Sequence, residues 1–182
     1  MSLNDELTNL LLTEEVEAFN QLKEENNITD LDLSEMDLSG LNLNGIDLSY
    51  TDLNGSDLRD CNLDNADFTE ANLSAANLTS TSMQFCCFNN ANLSGILLTG
   101  AILTESDFTE ANLNGADLRE ADLSDAELSS SFNLSQAKFD KFTVWPDSHN
   151  LPEDFDTDYS NHLNYEDDDF EEKLFDGELE DN

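Results

Sequence analysis

From Leu33 to Leu128 every fifth residue is Leu, Phe or Met, twenty times in succession. The series is Leu33, Leu38, Leu43, Leu48, Leu53, Leu58, Leu63, Phe68, Leu73, Leu78, Met83, Phe88, Leu93, Leu98, Leu103, Phe108, Leu113, Leu118, Leu123 and Leu128. A period of five is neither the 3.6 of a helix nor the 2 of an ordinary strand. Every fifth side chain therefore occupies an equivalent site, and the chain is an array of stacked units.

Around each central residue the pattern is narrow. Two positions earlier stands a small or apolar residue, such as Ala66, Ala71, Ala91 or Ala121, with the larger Leu31, Met36, Leu41 and Ile46 at the start. One position earlier is usually Asp or Asn, and one later Ser, Thr or Asn. The unit reads as in Ala71-Asn72-Leu73-Ser74-Ala75. Local alternation turns the centre and the residue two before it inward, and the polar residues outward.

These units closely resemble those of the pentapeptide-repeat family, over about residues 31–144. The resemblance implies a right-handed, four-sided β-helix, mainly β in class, with one unit per side and four units per coil. The repeat then supplies five to six coils. After Leu128 the phase slips: position 133 is Asn, and the apolar residues fall at Leu134, Phe139 and Val144, with Phe132 and Ala137 two before. One inserted residue near Ser129–Ser131 accounts for this, and Leu134, Phe139 and Val144 are expected as the next centres.

The flanks divide the chain into three parts: 1–29, 30–145 and 146–182. In the first, Leu7, Leu10, Leu11, Leu12, Val16, Phe19 and Leu22 fall at helical spacings among glutamates. This predicts one amphipathic helix over 4–25, N-capped by Ser2 or Asn4 and stopped at Asn26-Asn27. Its apolar face is expected to cover the open edge of the first coil. A membrane-surface role fits poorly, because the polar face is acidic and Lys23 is its one cation. At the far end Phe132, Phe139, Phe142, Val144 and Trp145 are expected to plug the last coil. Residues 146–182 carry 15 Asp or Glu and one Lys, a composition expected to leave them largely disordered. Phe170, Leu174, Phe175 and Leu179 could fold there on a partner.

With 42 acidic and 6 basic residues the net charge is −36. That argues against direct binding of nucleic acid or an anionic membrane, and favours basic protein partners, cations or simple solubility. No apolar segment is long enough to span a membrane and no signal peptide is recognisable, so a cytoplasmic location is expected. The three cysteines have no disulfide or zinc spacing. Cys61 and Cys86 fall at inward sites and Cys87 at an outward one. No cofactor or metal site is read.

A filled rod offers flat faces rather than a cleft, and no nucleophile–base pair can be assembled, so the chain reads as a non-enzyme. Two exterior features remain. One side stacks Asp47, Asp67, Cys87, Asp107 and Glu127, with Glu70 and Glu110 beside them, an acidic ladder broken at its middle. A second column starts Asp32, Asp52 and turns neutral at Asn72, Asn92 and Asn112. Asp and Asn at these positions also suit turns, where they bond nearby amides. The other feature is a set of apolar residues at outward positions: Phe85, Cys87, Leu97 and Ile102, a candidate contact surface. The best understood members of the resembled family are acidic rods that imitate B-DNA and bind DNA gyrase, protecting it from fluoroquinolones. This chain has a shorter rod, no projecting loops and an acidic tail in place of a recognisable dimerising module. With its N-terminal helix and its Phe142-Thr143-Val144-Trp145-Pro146 segment it is more similar to cyanobacterial members without assigned activity. The favoured expectation is a non-catalytic protein-interaction scaffold, with homodimerisation left open. The alternatives are a DNA-mimicking modulator of gyrase or topoisomerase, and an acidic cation-binding protein.

Overall fold

The computed structural model describes residues 2–130, 134–153 and 155–158. The expectations for Phe132, for the apolar residues of 170–179 and for most of the acidic tail lie outside the described residues. Helix α1 spans Leu3–Leu12 and helix α2 spans Val16–Glu25. A four-sided stack of coils follows.

The period of the stack is fixed by its bridges. Each residue before a centre pairs in parallel with the residue twenty positions on: Asp32 with Asp52, Asp37 with Asp57, Asn42 with Asn62, Asp47 with Asp67, and so through Asp107 with Glu127. Twenty residues thus make one coil, and each side contributes one bridged residue before the chain turns. A five-residue side has no room for a longer strand, so the β structure consists of isolated parallel bridges.

Most turns are built alike, the one holding Phe85 differing in that the Cys86 amide donates to Ser106 Oγ (3.1 Å). The amide two before a centre bonds the preceding centre's carbonyl, as from Ala66 to Leu63 (3.0 Å). The third turn residue is left-handed, at φ 73° in Gly45 and 60° in Phe85, which is the demand of a type II turn. The Asp or Asn before the centre accepts from the amide two residues on, as Asp67 does from Thr69 (2.8 Å) and Asp107 from Thr109 (2.9 Å). Such local bonds make Asp and Asn favourable here whatever their surface role.

Inside, all twenty centres from Leu33 to Leu128 are buried. Phe68, Phe88 and Phe108 stack on one side with ring centroids 5.1 and 4.8 Å apart. Hydroxyls and thiols that replace Ala two before a centre are satisfied by backbone carbonyls: Thr81 Oγ1 donates to Leu58 and Cys86 Sγ to Leu63. Outside, the neutral column is tied together, since Asn72 Nδ2 donates to Asp52 and Asn92 Nδ2 to Asn72 (2.9 and 3.0 Å).

The N-terminal segment differs from the single helix expected. Thr13 closes α1, its hydroxyl donating to the Asn9 carbonyl, and Glu14 adopts φ 59°. The chain turns there and re-enters a helix at Val16. Ser2 is the N-cap, in a capping box with Asp5. Leu7, Leu11 and Phe19 are buried in one core with the first coil's Leu31, Leu43 and Ile46. Polar contacts join the same surfaces: Asn20 donates to the Gly45 carbonyl and accepts from the Asp47 amide (both 2.8 Å), and Glu14 accepts from the Asn42 amide (2.8 Å). These are edge groups of the first coil that no preceding coil pairs.

At the other end the described residues continue into a sixth coil whose turns lengthen. Asp117 pairs with Lys138, twenty-one residues on, and Asp122 with Val144, twenty-two on. The first shift agrees with one inserted residue after Leu128. The second corrects the expected register: Val144 takes the position before a centre and is 46% exposed, and Trp145 is the centre. The cause is a wider turn around Asp140, whose carboxylate accepts from the amides of Phe142 and Thr143 (3.0 and 3.1 Å). Phe142 is 60% exposed and plugs nothing. The aromatic closure is instead Phe139, Trp145 and Phe155, with centroids 5.0–5.7 Å apart.

Candidate functional site

The bridges place the acidic ladder as one column: Asp47, Asp67, Cys87, Asp107 and Glu127 follow one another from coil to coil. Its members are not alike. Asp47 faces Lys23 of α2, whose side chain is 3% exposed and whose ammonium donates to Asp47 Oδ1 (2.7 Å), the Ser49 carbonyl (2.6 Å) and Ser49 Oγ (3.0 Å). Half-burial of Asp47 would raise its pKa, but the bonds from Lys23 and Ser49 outweigh this and hold it below the usual carboxylate range. Asp47 therefore belongs to the helix–coil junction. Asp67, Asp107 and Glu127 each aim one oxygen at a turn amide. Glu70 accepts a long bond from the Tyr50 hydroxyl (3.4 Å), and Glu110 is an exposed corner residue at φ 60°. The column is acidic at both ends and broken by Cys87, which lies 3.3 Å from Thr69 Oγ1.

The apolar set is outward, as the alternation requires. Phe85 is 52% exposed, Ile102 42% and Leu97 40%, and Cys87 is half-buried. Ile102 is bridged between Ser82 and Asp122 on one side, and Leu97 between Asn77 and Asp117 on the adjoining side. Phe85 occupies a turn position on the same side as Ile102, one coil earlier. Three of the four thus meet on two neighbouring sides, and Cys87 lies round the next corner.

The chemistry available is limited. Burial raises the thiols of Cys61 and Cys86, the latter to about 12, so neither is a nucleophile near neutral pH. Among the described residues no group of His, Cys, Asp and Glu is arranged to hold a metal ion. An open depression at the α1–α2 turn is lined by Glu14, Glu15, Glu17 and Asn42 among others, and brings no base to a nucleophile. No described helix is long and apolar enough to cross a membrane.

Lys23 was the junction contact that the sequence hid, although one signal was present. It falls four residues after Phe19, on the apolar face of a helix whose other charges are all acidic.

A stack of four-sided coils with one five-residue unit per side defines a repeat solenoid. The chain belongs to the pentapeptide-repeat family: its repeat model matches in eight copies over residues 27–65, 56–95, 92–129 and 106–142. The fold of that family is a right-handed β-helix. Solved structures similar to it include HetL from the cyanobacterium Nostoc sp. strain PCC 7120, a pentapeptide repeat protein involved in heterocyst differentiation regulation. That match has 25% identity over 60% of this chain and 65% of HetL, with a TM-score of 0.28, so the chain spans just under two thirds of that relative. A pentapeptide repeat protein from the Arabidopsis thaliana thylakoid lumen is 28% identical over 56% of this chain and 74% of its own, with a TM-score of 0.34. QnrB1, a plasmid-mediated fluoroquinolone resistance protein, is 22% identical over 59% of this chain and 64% of its own, with a TM-score of 0.31. Among curated proteins no match was found.

Proposed function

We propose that this chain is a non-catalytic protein-interaction scaffold acting in the cytoplasm. The observation that carries the reading is the exposure of Phe85, Leu97 and Ile102 together on two neighbouring sides of the middle coils, where most other outward residues are polar. Clustered exposed apolar side chains contribute little to a fold and serve as anchors for a partner. The helix pair α1–α2 acts as the cap of the first coil in this reading, keeping an open β edge from pairing with other chains.

The DNA-mimic alternative draws support from the net charge of −36. It is weakened by Asp47, which is neutralised by Lys23, and by the break at Cys87. A duplex offers a phosphate charge about every 1.7 Å without such a gap. The cation-binding alternative is weakened because the stacked carboxylates aim oxygens at turn amides.

The test is a comparison of parent and Phe85→Ser/Ile102→Asn protein as bait in native lysate, beside a gyrase supercoiling assay. A protein held by the parent and lost by the variant, with gyrase unaffected, is the expected result. Salt-sensitive inhibition of supercoiling by the parent would replace the scaffold reading with mimicry.

A further inference from the structure

Between Glu70 and Glu105 there is no Asp, Glu, Lys or Arg, in a chain that is 26% charged. The bridges turn this linear run into a belt. Residues 71–90 form the whole third coil, and residues 91–104 form most of the fourth. Phe85, Leu97 and Ile102 all lie in it.

The belt has charged margins. On the two sides that carry the three apolar residues, Asp60 and Asp64 lie toward the N-terminus, in columns beside theirs. Glu105, Glu120, Asp122 and Asp125 lie toward the C-terminus. Asp57 and Asp117, in line with Leu97, are each paired with their own arginine, Arg59 and Arg119. They contribute less to the margin field than the other carboxylates do.

Phe85 adds an independent argument. It holds φ 60° at a turn position where Asn65, Glu105 and Asp125 stand in its column. A bulky side chain in the left-handed region is strained, and with Phe85 52% exposed burial offsets only part of the strain. The other aromatic at such a position, Tyr50, at least places its hydroxyl near Glu70. Phe85 has no polar tip, so about half of its apolar surface meets water at a strained position.

We propose that the belt docks a partner polypeptide segment with apolar side chains at its centre and a Lys or Arg toward each end. The proposal rests on the scaffold reading and specifies its partner. Coils are spaced by about 4.8 Å, so the acids of the second and fifth coils lie about 14 Å apart along the rod, a length that about four extended residues cover. The apolar centre supplies affinity, and the flanking charges supply steering and register. A second copy of this chain is the poorer occupant. Its own acidic coils would lie within a Debye length, about 8 Å at physiological salt, of these margins.

The experiment is selection from a displayed random-peptide library on the full chain and, in parallel, on Phe85→Asn/Ile102→Asn. Asn already occupies both columns, at Asn65 and Asn62, so the variant keeps the fold, and a thermal melt checks it. Leu97→Asn, matching Asn77, is read in the same way should the double variant fail to fold. The expected result is enrichment of peptides with apolar residues between Lys or Arg. Their binding falls about tenfold or more in the variant and weakens again in about 0.5 M salt. Enriched peptides that bind the variant equally, or that lack basic flanks, overturn the belt proposal and leave the scaffold reading standing. No enrichment on the parent overturns both. A parent that is dimeric by sizing while the variant is monomeric makes a second copy the occupant and also overturns the proposal.

Discussion

The outer coils and the middle coils of this rod share one backbone and one interior but differ outside. Leu48 in the first coil, Phe88 in the third and Phe108 in the fourth are equally buried centres of the same side. Yet the position before each centre reads Asp47, Cys87 and Asp107. The bridges run through all of them without interruption. Interior periodicity therefore specifies the coil, and the exterior is left to vary under other demands. Where the exterior departs from turn chemistry and leaves apolar surface in water, as at Phe85, those demands are the ones to look for.

The strongest way to break the comparison is from inside. Leu73→Asp places an unpaired charge in a filled core, and the rod should not fold. A variant that melts with the parent by circular dichroism would mean that centres are not equivalent.

Next is the far end. Trp145→Ala should destabilise the sixth coil by about 3 kcal/mol, the low end for truncating a packed aromatic. Val144→Asn should shift stability by under about 0.5 kcal/mol, as exposed positions do. The reverse order in denaturant titrations would restore Val144 as the centre.

At the near end, Asp47→Asn leaves the Lys23 ammonium buried without its counter-charge. The cost should be up to about 3 kcal/mol, the lower edge of the range for a broken buried pair, because Asp47 is itself about a third exposed. The sign of the pH effect follows from the depressed Asp47 pKa. This contribution is present above the ordinary aspartate value of about 3.9 and is lost as pH falls through the lower folded value. In Asp47→Asn that acid-dependent part should vanish from the pH profile of the melt. A profile identical to the parent's would show that the pair contributes nothing.

The smallest effect has the opposite sign. Phe85→Gly should raise stability, by up to about 1 kcal/mol, since the relief of a left-handed aromatic exceeds the loss of its partly covered ring.

The sequence disclosed the coil because interior sites repeat by simple count, and Leu73, Phe88 and their equivalents are buried where the count puts them. It disclosed the outward set for the same reason. It did not disclose the break between α1 and α2. Leu10, Leu11, Leu12 and Val16 keep helical spacing with no Gly or Pro among them. The turn depends on Thr13 bonding back to Asn9 and on Glu14 accepting φ 59°. Nor did it disclose the place of Val144, because counting fails once a side chain such as Asp140 wraps a longer turn. The Lys23–Asp47 pair was hidden because it joins two segments whose docking no local pattern states. The uncharged belt was legible between Glu70 and Glu105, but its meaning as a ring required the twenty-residue coil.

The central claim is that the apolar residues of the belt belong to a contact surface and not to the fold. Thermal melting of Phe85→Asn/Leu97→Asn/Ile102→Asn beside the parent tests it most directly. Each substitution restores a residue found in the same column, as Asn65, Asn77 and Asn62. The account predicts an equal or higher melting temperature. A loss of about 2–5 kcal/mol, the scale of large-to-small core substitutions, would contradict it.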